Sequence, residues 1–455
     1  LHVPKGGAGS SHRFLRSNQE YFYMPTILPV KGTRDFFPED MAFRQWLYVK
    51  IRQVSEAFGY QEFEAPFIER IDLYAAKSGE ELVNEQSFVF EDKSGEMIAL
   101  RPELTPSLAR MIATRSRALP KPIRWWSFGP FWRYEKPQRG RTREFFQWNI
   151  DLLGVDSPQA DAELLAVIAL FFRNIGLTPN QVGILVNNRR LADQQLQSIN
   201  VPSNKKVEIF RLIDRKEKMS VQAWKAYATD LGLSSEQFNR LSQILSDKDA
   251  WSQSEELVQC FKAVEALGIS DYVSYDPTII RGLDYYTGTV FEARDLSGDK
   301  RSILGGGRYD DLVSDVGGDP LPGVGFAMGD VVIQLTLEEL GLVPDLRINP
   351  ADVLVPTFDE NLLEASLSLA SELRFAGFKV EWFPQADRLQ KQFRYADRQG
   401  IPFVVIIGPD EIAEGKVTIK DLRSGIQESI DRDKMAQYLN ERISDEESNR
   451  KTRSG

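Results

Sequence analysis

The densest run of side chains able to do chemistry is Arg133-Tyr-Glu-Lys-Pro-Gln-Arg-Gly-Arg-Thr-Arg-Glu-Phe-Phe-Gln-Trp-Asn-Ile-Asp151. Strand-like residues flank its loop, Lys136-Pro-Gln-Arg-Gly-Arg141, which predicts two antiparallel strands joined by a basic turn. Period-two alternation puts Arg133 and Glu135 on one face of the first strand, and Arg143, Phe145 and Gln147 on one face of the second. Such a face offers guanidinium forks for phosphates and a ring for a base. A structural salt-bridge network would use the same residue types.

Two further clusters stand out. Arg281-Gly-Leu-Asp-Tyr-Tyr-Thr-Gly288 and Gly305-Gly-Gly-Arg-Tyr-Asp310 combine glycines, which permit close backbone approach, with hydroxyl and bidentate donors. As glycine patterns alone they also fit hairpin turns, and they lack the spacing of a Rossmann or Walker loop. Arg101-Pro-Glu-Leu-Thr-Pro106 brings a carboxylate and a hydroxyl just after an apolar stretch, where a plain helix N-terminus is the simpler account.

Composition narrows the chemistry. The only histidines, His2 and His12, lie in a polar N-terminal stretch, so the folded body has no imidazole for a triad, a general base or a metal. The single cysteine, Cys260, excludes an internal disulfide framework and a cysteine-rich zinc cluster, and implies a reducing compartment, the cytoplasm. Arg, Asp, Glu, Gln and Tyr must do the work. The net charge is −10, yet Lys121 to Arg143 holds seven basic residues against one acidic, Glu135. A local basic surface on an acidic protein suits a partner that is gripped and then released, since phosphate affinity follows local contacts. No apolar stretch approaches the ~18 residues that cross a bilayer, so no membrane partner is expected.

The elements that must position these residues fall into distinct regions. The length of 455 residues allows roughly three domains at about 150 residues each. Residues 1–23 read as a disordered extension, excluded from the fold. From Pro38 a helix carries Phe43, Leu47, Ile51, Val54 and Phe58 on one face until Gly59. Short strands around Phe88–Phe90, Met97–Leu100 and Trp125–Phe131 predict an antiparallel sheet, interrupted by a polar helical insertion over about 187–270 and resuming at Thr287–Ala293. After a linker at 346–350, strand and helix alternate as a βαβαβ unit that closes with a hairpin near Arg423-Ser424-Gly425. Residues 441–455 form a charged tail. The predicted class is α/β: an α+β domain over 24–345 and a smaller α/β domain over 350–440.

The three clusters, in this order, resemble histidyl-tRNA synthetase, a class II aminoacyl-tRNA synthetase, from Leu28 to about Leu439. Motif one would end at Pro66, motif two would be Arg133 to Asp151, and Arg281-Gly-Leu-Asp-Tyr-Tyr with Gly306-Gly-Arg-Tyr-Asp would be the histidine signatures. The resemblance implies a catalytic domain with an antiparallel sheet, a C-terminal anticodon-binding domain with a mixed sheet, and a homodimer. It implies ATP as substrate with Mg2+, and histidine and tRNA-His as partners. Arg281 would bridge the α-phosphate and the histidine carboxylate; Arg133 would hold the α-phosphate, Phe145 would stack on adenine, and Glu135 and Arg141 would contact the nucleotide. Glu103, Thr105 and Gln147 would hold the α-amino group, Asp151 and Tyr286 the imidazole, with Tyr285 and Tyr309 lining the pocket. Gln138 and Arg139 would face the tRNA acceptor end, and Arg388, Lys391 and Arg394, on one helical face, the anticodon.

Two positions depart from the family pattern. Asp151 stands where glutamate is frequent. Motif three, usually glycine-leucine-glutamate-arginine, reads Gly329-Asp-Val-Val332, so its γ-phosphate arginine is replaced by Val332, with Arg301, Arg308 or magnesium as candidate substitutes. That loss fits a rival reading, a histidine-binding regulator without catalysis. A related enzyme for glycine or proline leaves the Tyr285-Tyr286 signature unexplained.

Overall fold

The structure, a computed structural model, describes residues 12–17, 20–75, 85–280, 285–296 and 302–453. The chain forms two compact units, residues 1–35 with 47–343 and residues 36–46 with 344–455.

In the first unit, strands β1 (His12–Ser17) and β2 (Glu20–Pro25) pair as an antiparallel hairpin. Helix α1 (Pro38–Ala57), whose residues up to Trp46 are grouped with the second unit, starts where the Asp40 carboxylate accepts from the Phe37 N–H at 3.0 Å, and it ends at Gly59, whose φ of 76° only glycine adopts freely. Strands β3 (Gln61–Glu62) and β4 (Ile68–Arg70) follow, then β5 (Phe88–Glu91) and β6 (Met97–Leu100); β4, β6 and β5 make a small antiparallel sheet. Helix α2 (Thr105–Arg115) precedes the long strands β7 (Ile123–Trp132) and β8 (Glu144–Leu153). Helix α3 (Pro158–Asn174), β9 (Val182–Asn188), β10 (Val273–Tyr275), β11 (Thr289–Asp295), β12 (Ser302–Tyr309) and β13 (Gly323–Gly329) complete the main layers.

The main sheet has the order β10-β9-β11-β12-β13-β8-β7-β3. Its six central strands run antiparallel as predicted, while β10 and β3 add parallel edges. Alternation along β8 sorts its side chains between the two faces of the sheet. Trp148, Ile150 and Leu152 are buried on the side where the Phe171 ring of α3 lies 5.1 Å from Trp148, whereas Phe145, Gln147, Asn149 and Asp151 share the other face.

The helical insertion is α4 (Arg189–Ser198), α5 (Lys206–Asp214), α6 (Val221–Asp230) and α7 (Ser235–Ile244), built around its own core of Leu196, Ile209, Leu212, Trp224 and Leu241. It begins after β9, since residues 182–188 belong to the main sheet. Helix α8 (Glu255–Ala266) packs on α3. The sequence alone does not separate α8 from the insertion, because both are polar on one side. Helix α9 (Asp330–Glu339) follows β13.

In the second unit, β14 (Val353–Val355) lies parallel to β15 (Val380–Trp382) and β16 (Phe403–Ile406), and β17 (Lys416–Asp421) with β18 (Gln427–Asp431) continues antiparallel. Val353, Phe403 and Val405 face the side covered by α10 (Leu363–Phe375), while Leu354, Val404 and Ile406 face Ala396 of α11 (Leu389–Arg398). Burial on both faces is why these strands are apolar at every position.

Candidate functional site

Asp151 sits on the ligand face of β8, directly opposite Trp125 of β7 and Gly325 of β13. It is buried, and its Oδ1 accepts a 2.5 Å hydrogen bond from the Tyr309 hydroxyl of β12. Burial pushes the carboxyl up to about 7, against the lowering effect of that hydroxyl. The space for Asp151 comes from Gly325: a Cβ there would lie 2.7 Å from the Asp151 carboxyl carbon. Gly323 does the same for the Tyr309 ring.

The tyrosines close one wall. The Tyr285 ring lies 4.9 Å from Tyr286 and 6.1 Å, edge-on, from Tyr309. The Tyr285 hydroxyl reaches Glu103 Oε2 at 3.5 Å and also interacts with Thr105. Burial first, and the neighbouring phenol and carboxylate after it, hold Tyr285 well above the usual tyrosine range, so it acts as a neutral hydroxyl. Glu103, Thr105, Asp151, Tyr285, Tyr286 and Tyr309 thus converge although they come from four separate stretches of chain. The result is a cluster of three tyrosine rings with two carboxylates and a threonine hydroxyl, a donor and acceptor set suited to a small cationic or hydrogen-bonding ligand.

Along β8 from Asp151 the face continues through Gln147 to Phe145, whose ring stacks on Phe131 at 6.0 Å. The Arg133 guanidinium lies 5.4 Å from the Phe145 centroid, and its Nε donates to the Pro102 carbonyl at 2.9 Å, leaving donors for an anion. Glu135 pairs with Arg141 at 3.2 Å. Arg143 instead donates to the Glu135 carbonyl and covers the Tyr134 ring at 4.0 Å. The loop between them is latched to α9: Arg139 meets Glu339 at 2.6 Å, and a Cβ at Gly140 would stand 3.8 Å from Val332. Gln138 is exposed on this loop and bridges to Arg141 through the main chain.

Arg281 lies outside the described residues, as does Arg301. Arg308 is not available to a phosphate. It points away from the ligand face, buried, and bonds Asp161 at 2.6 Å and the carbonyls of Ser157 and Val155. In the strand, positions 307 and 309 face the site, so 308 must face the core. Arg388, Lys391 and Arg394 are exposed in the second unit, at the start and along α11, with Gln392 and Ala396 buried on its other side. Among the described residues no group of three or more His, Cys, Asp or Glu side chains could hold a metal ion, so those residues present no cage for a resident cation. One residue to which the sequence gives no clue is Arg101, fully buried between the Phe67 and Phe131 rings. A basic residue between an apolar strand and a proline carries no sign of being interior.

Comparison with known proteins agrees with this geometry. The histidyl-tRNA synthetase family model matches residues 32–330, and an anticodon binding domain model matches residues 352–442. The chain is 37% identical over 432 residues to the chloroplastic/mitochondrial histidine–tRNA ligase of Arabidopsis thaliana, covering 93% of this chain and 88% of that protein. It is 36% identical over 429 residues to the histidine–tRNA ligase of Leptospira biflexa, covering 91% and 97%. The crystal structure of histidyl-tRNA synthetase from Nostoc sp. PCC 7120 superposes with a TM-score of 0.77 at 30% identity, covering 91% of this chain and 99% of that one.

Proposed function

Because the chain belongs to the histidyl-tRNA synthetase family, we propose that it joins L-histidine to ATP as histidyl-adenylate, releasing pyrophosphate, and then passes the histidyl group to the 3′ end of tRNA-His. The observation that carries this reading is the pocket in which Asp151, held by Tyr309, meets Tyr285, Tyr286 and Glu103.

In this reading the substrate carboxylate attacks the α-phosphorus, and the protein positions and neutralises rather than exchanging protons. Asp151 and Tyr286 take the two imidazole nitrogens. An apolar isostere could make neither hydrogen bond, which is the strong form of discrimination. Glu103, Thr105 and Gln147 hold the α-amino group. Phe145 stacks on adenine, Glu135 and Arg141 contact the nucleotide, and Arg133 takes the α-phosphate. Arg281 bridges that phosphate and the histidine carboxylate, and losing such a donor would reduce the rate on the order of 10²-fold or more. Gln138 and Arg139 meet the acceptor end of the tRNA, and Arg388, Lys391 and Arg394 its anticodon arm. Magnesium arrives on the triphosphate.

The homodimer is supported by exposed apolar side chains on and beside the three-stranded sheet, namely Phe67, Ile68, Val89, Phe90 and Met97. Sedimentation should give a mass near twice 51.8 kDa, and a monomer would refute this part. Among the described residues no helix is long and apolar enough to cross a membrane. The lone buried Cys260 fits the cytoplasm.

Val332 favours one second reading, a histidine-binding regulator without ligase activity. Pyrophosphate exchange over all twenty amino acids separates the two. Exchange with histidine alone supports the ligase, histidine binding without exchange supports the regulator, and exchange with a different amino acid rejects both. Arg281→Ala should abolish exchange without unfolding the protein.

A further inference from the structure

Arg101 is an interior guanidinium with an unusually full set of partners. Its Nε donates to the Pro130 carbonyl at 3.0 Å, its Nη1 to the Ala65 carbonyl at 3.0 Å and to the Glu64 carboxylate, and its Nη2 to Glu64 Oε2 at 3.4 Å. The Phe67 centroid lies 4.6 Å from its Cζ and the Phe131 centroid 4.4 Å. Phe131 stacks on Phe145 with an interplanar angle of 27°, and Arg133 lies over Phe145. Phe67, Arg101, Phe131, Phe145 and Arg133 therefore form one chain of ring and cation contacts. The backbone repeats the link. Arg101 N–H donates to the Phe67 carbonyl, Trp132 N–H to the Arg101 carbonyl, and Arg133 Nε to the carbonyl of the next residue, Pro102.

Stability alone does not explain this choice. Burying a guanidinium is costly, and a well-packed apolar side chain usually stabilises as much or more. Glu64, its carboxylate partner, is half-exposed, so the pair is not a sealed one. The sequence also gives up a side chain at Gly129 to seat it: a Cβ there would strike the guanidinium and lie 2.8 Å from Glu64 Oε2. What the arrangement achieves is register among three segments far apart in sequence, 64–67, 101–102 and 129–133.

We infer that Arg101 is a positioning residue for the nucleotide, setting the place of the Phe131–Phe145 stack and of the Pro102 carbonyl that orients Arg133. This rests on the assignment of Phe145 and Arg133 to ATP. Its side-chain bonds go to Glu64, Ala65 and Pro130, and so to β7 and the ATP half of the site.

The test is Arg101→Met, which keeps an apolar stem between the two rings and removes every donor, read by pyrophosphate exchange and thermal melting. The expected result is a KM for ATP raised about tenfold or more, with the histidine dissociation constant, measured calorimetrically without ATP, within about twofold of wild type. An unchanged KM for ATP in the folded variant overturns the inference, and so does equal weakening of both ligands. Should Arg101→Met fail to fold, Glu64→Gln gives the same readout from a half-exposed side chain, with a rise of about threefold expected and none counting against the proposal. Arg133→Ala is the control for the underlying assignment. If it leaves the KM for ATP untouched, the nucleotide site itself is misplaced, a failure distinct from that of Arg101 alone.

Discussion

Gly325 and Asp151 are direct partners across β13 and β8, and the absence of a side chain on the first is what lets the second stand buried in the ligand face. Three glycines, Gly323, Gly325 and Gly307, lie in this part of the sheet, each where a Cβ would meet a ring or carboxylate of the pocket or the neighbouring backbone. Gly325→Ala should therefore displace Asp151 at a cost of about 1–3 kcal/mol, the usual range for overpacking. The displaced carboxyl should separately lower kcat/KM for histidine by about 10-fold or more, with the KM for ATP within about threefold of wild type. Exchange kinetics at varied histidine and varied ATP check both halves.

The Asp151 carboxyl, raised from 3.8 to about 7 by burial, makes the pocket sensitive to pH in two ways. An ionised Asp151 accepts from an imidazole N–H better than a protonated one, so the KM for histidine should rise as pH falls from 8 to 6. Asp151→Asn should bind weakly at every pH and follow only the substrate's own titration. For stability the sign is opposite to that of a surface carboxylate. Between pH 4 and 7 the folded state holds a proton that the unfolded state has released, so stability from this group falls as pH rises and the deficit is complete above 7. Asp151→Asn should thus melt higher than wild type at pH 8, by up to a few kcal/mol (~4 as a ceiling from the size of the shift), and show no gain at pH 4. Melting curves at the two pH values check this.

Much of the fold was legible because local patterns coincide with burial. The apolar runs of β14 and β16 face cores on both sides, and the alternation of β8 separates Trp148 from Gln147. Motif residues were legible through their resemblance, and the structure brings Glu103, Asp151, Tyr285, Tyr286 and Tyr309 together. Other features depend on long-range contacts that carry no local mark. Arg101 and Arg308 look like surface cations in sequence, yet each is interior because carbonyls and carboxylates from distant segments surround it. The glycines of β12 read equally as turns, and only strand register shows which side chain each makes room for.

Arg308 illustrates the difference between a cation that serves a ligand and one that serves the fold. It holds Asp161 and the carbonyls just before α3, beneath the sheet. Arg308→Ala would leave Asp161 buried without its partner, and destabilisation of about 3–5 kcal/mol is expected, seen as a lower denaturation midpoint. The folded fraction at 25 °C should retain a KM for ATP within about threefold of wild type. A large rise in that KM with unchanged stability would instead make Arg308 the phosphate cation that Val332 leaves wanting.

If the exposed basic edge of α11 meets the tRNA as proposed, its loss should affect tRNA binding and spare adenylation. Arg388, Lys391 and Arg394 project from a helix whose buried side is Gln392 and Ala396, so replacing them removes charge without opening a core. Lys391 is paired with Asp387 in the same turn, and exposed pairs of this kind contribute little to stability. The triple variant Arg388→Ala, Lys391→Ala, Arg394→Ala should keep histidine-dependent exchange and its melting temperature. Its KM for tRNA-His should rise, and the slope of log affinity against log salt should become shallower by about one for each phosphate no longer neutralised, up to about three. Filter binding across a salt series measures that slope, and a slope identical to wild type would remove this face from the tRNA interface.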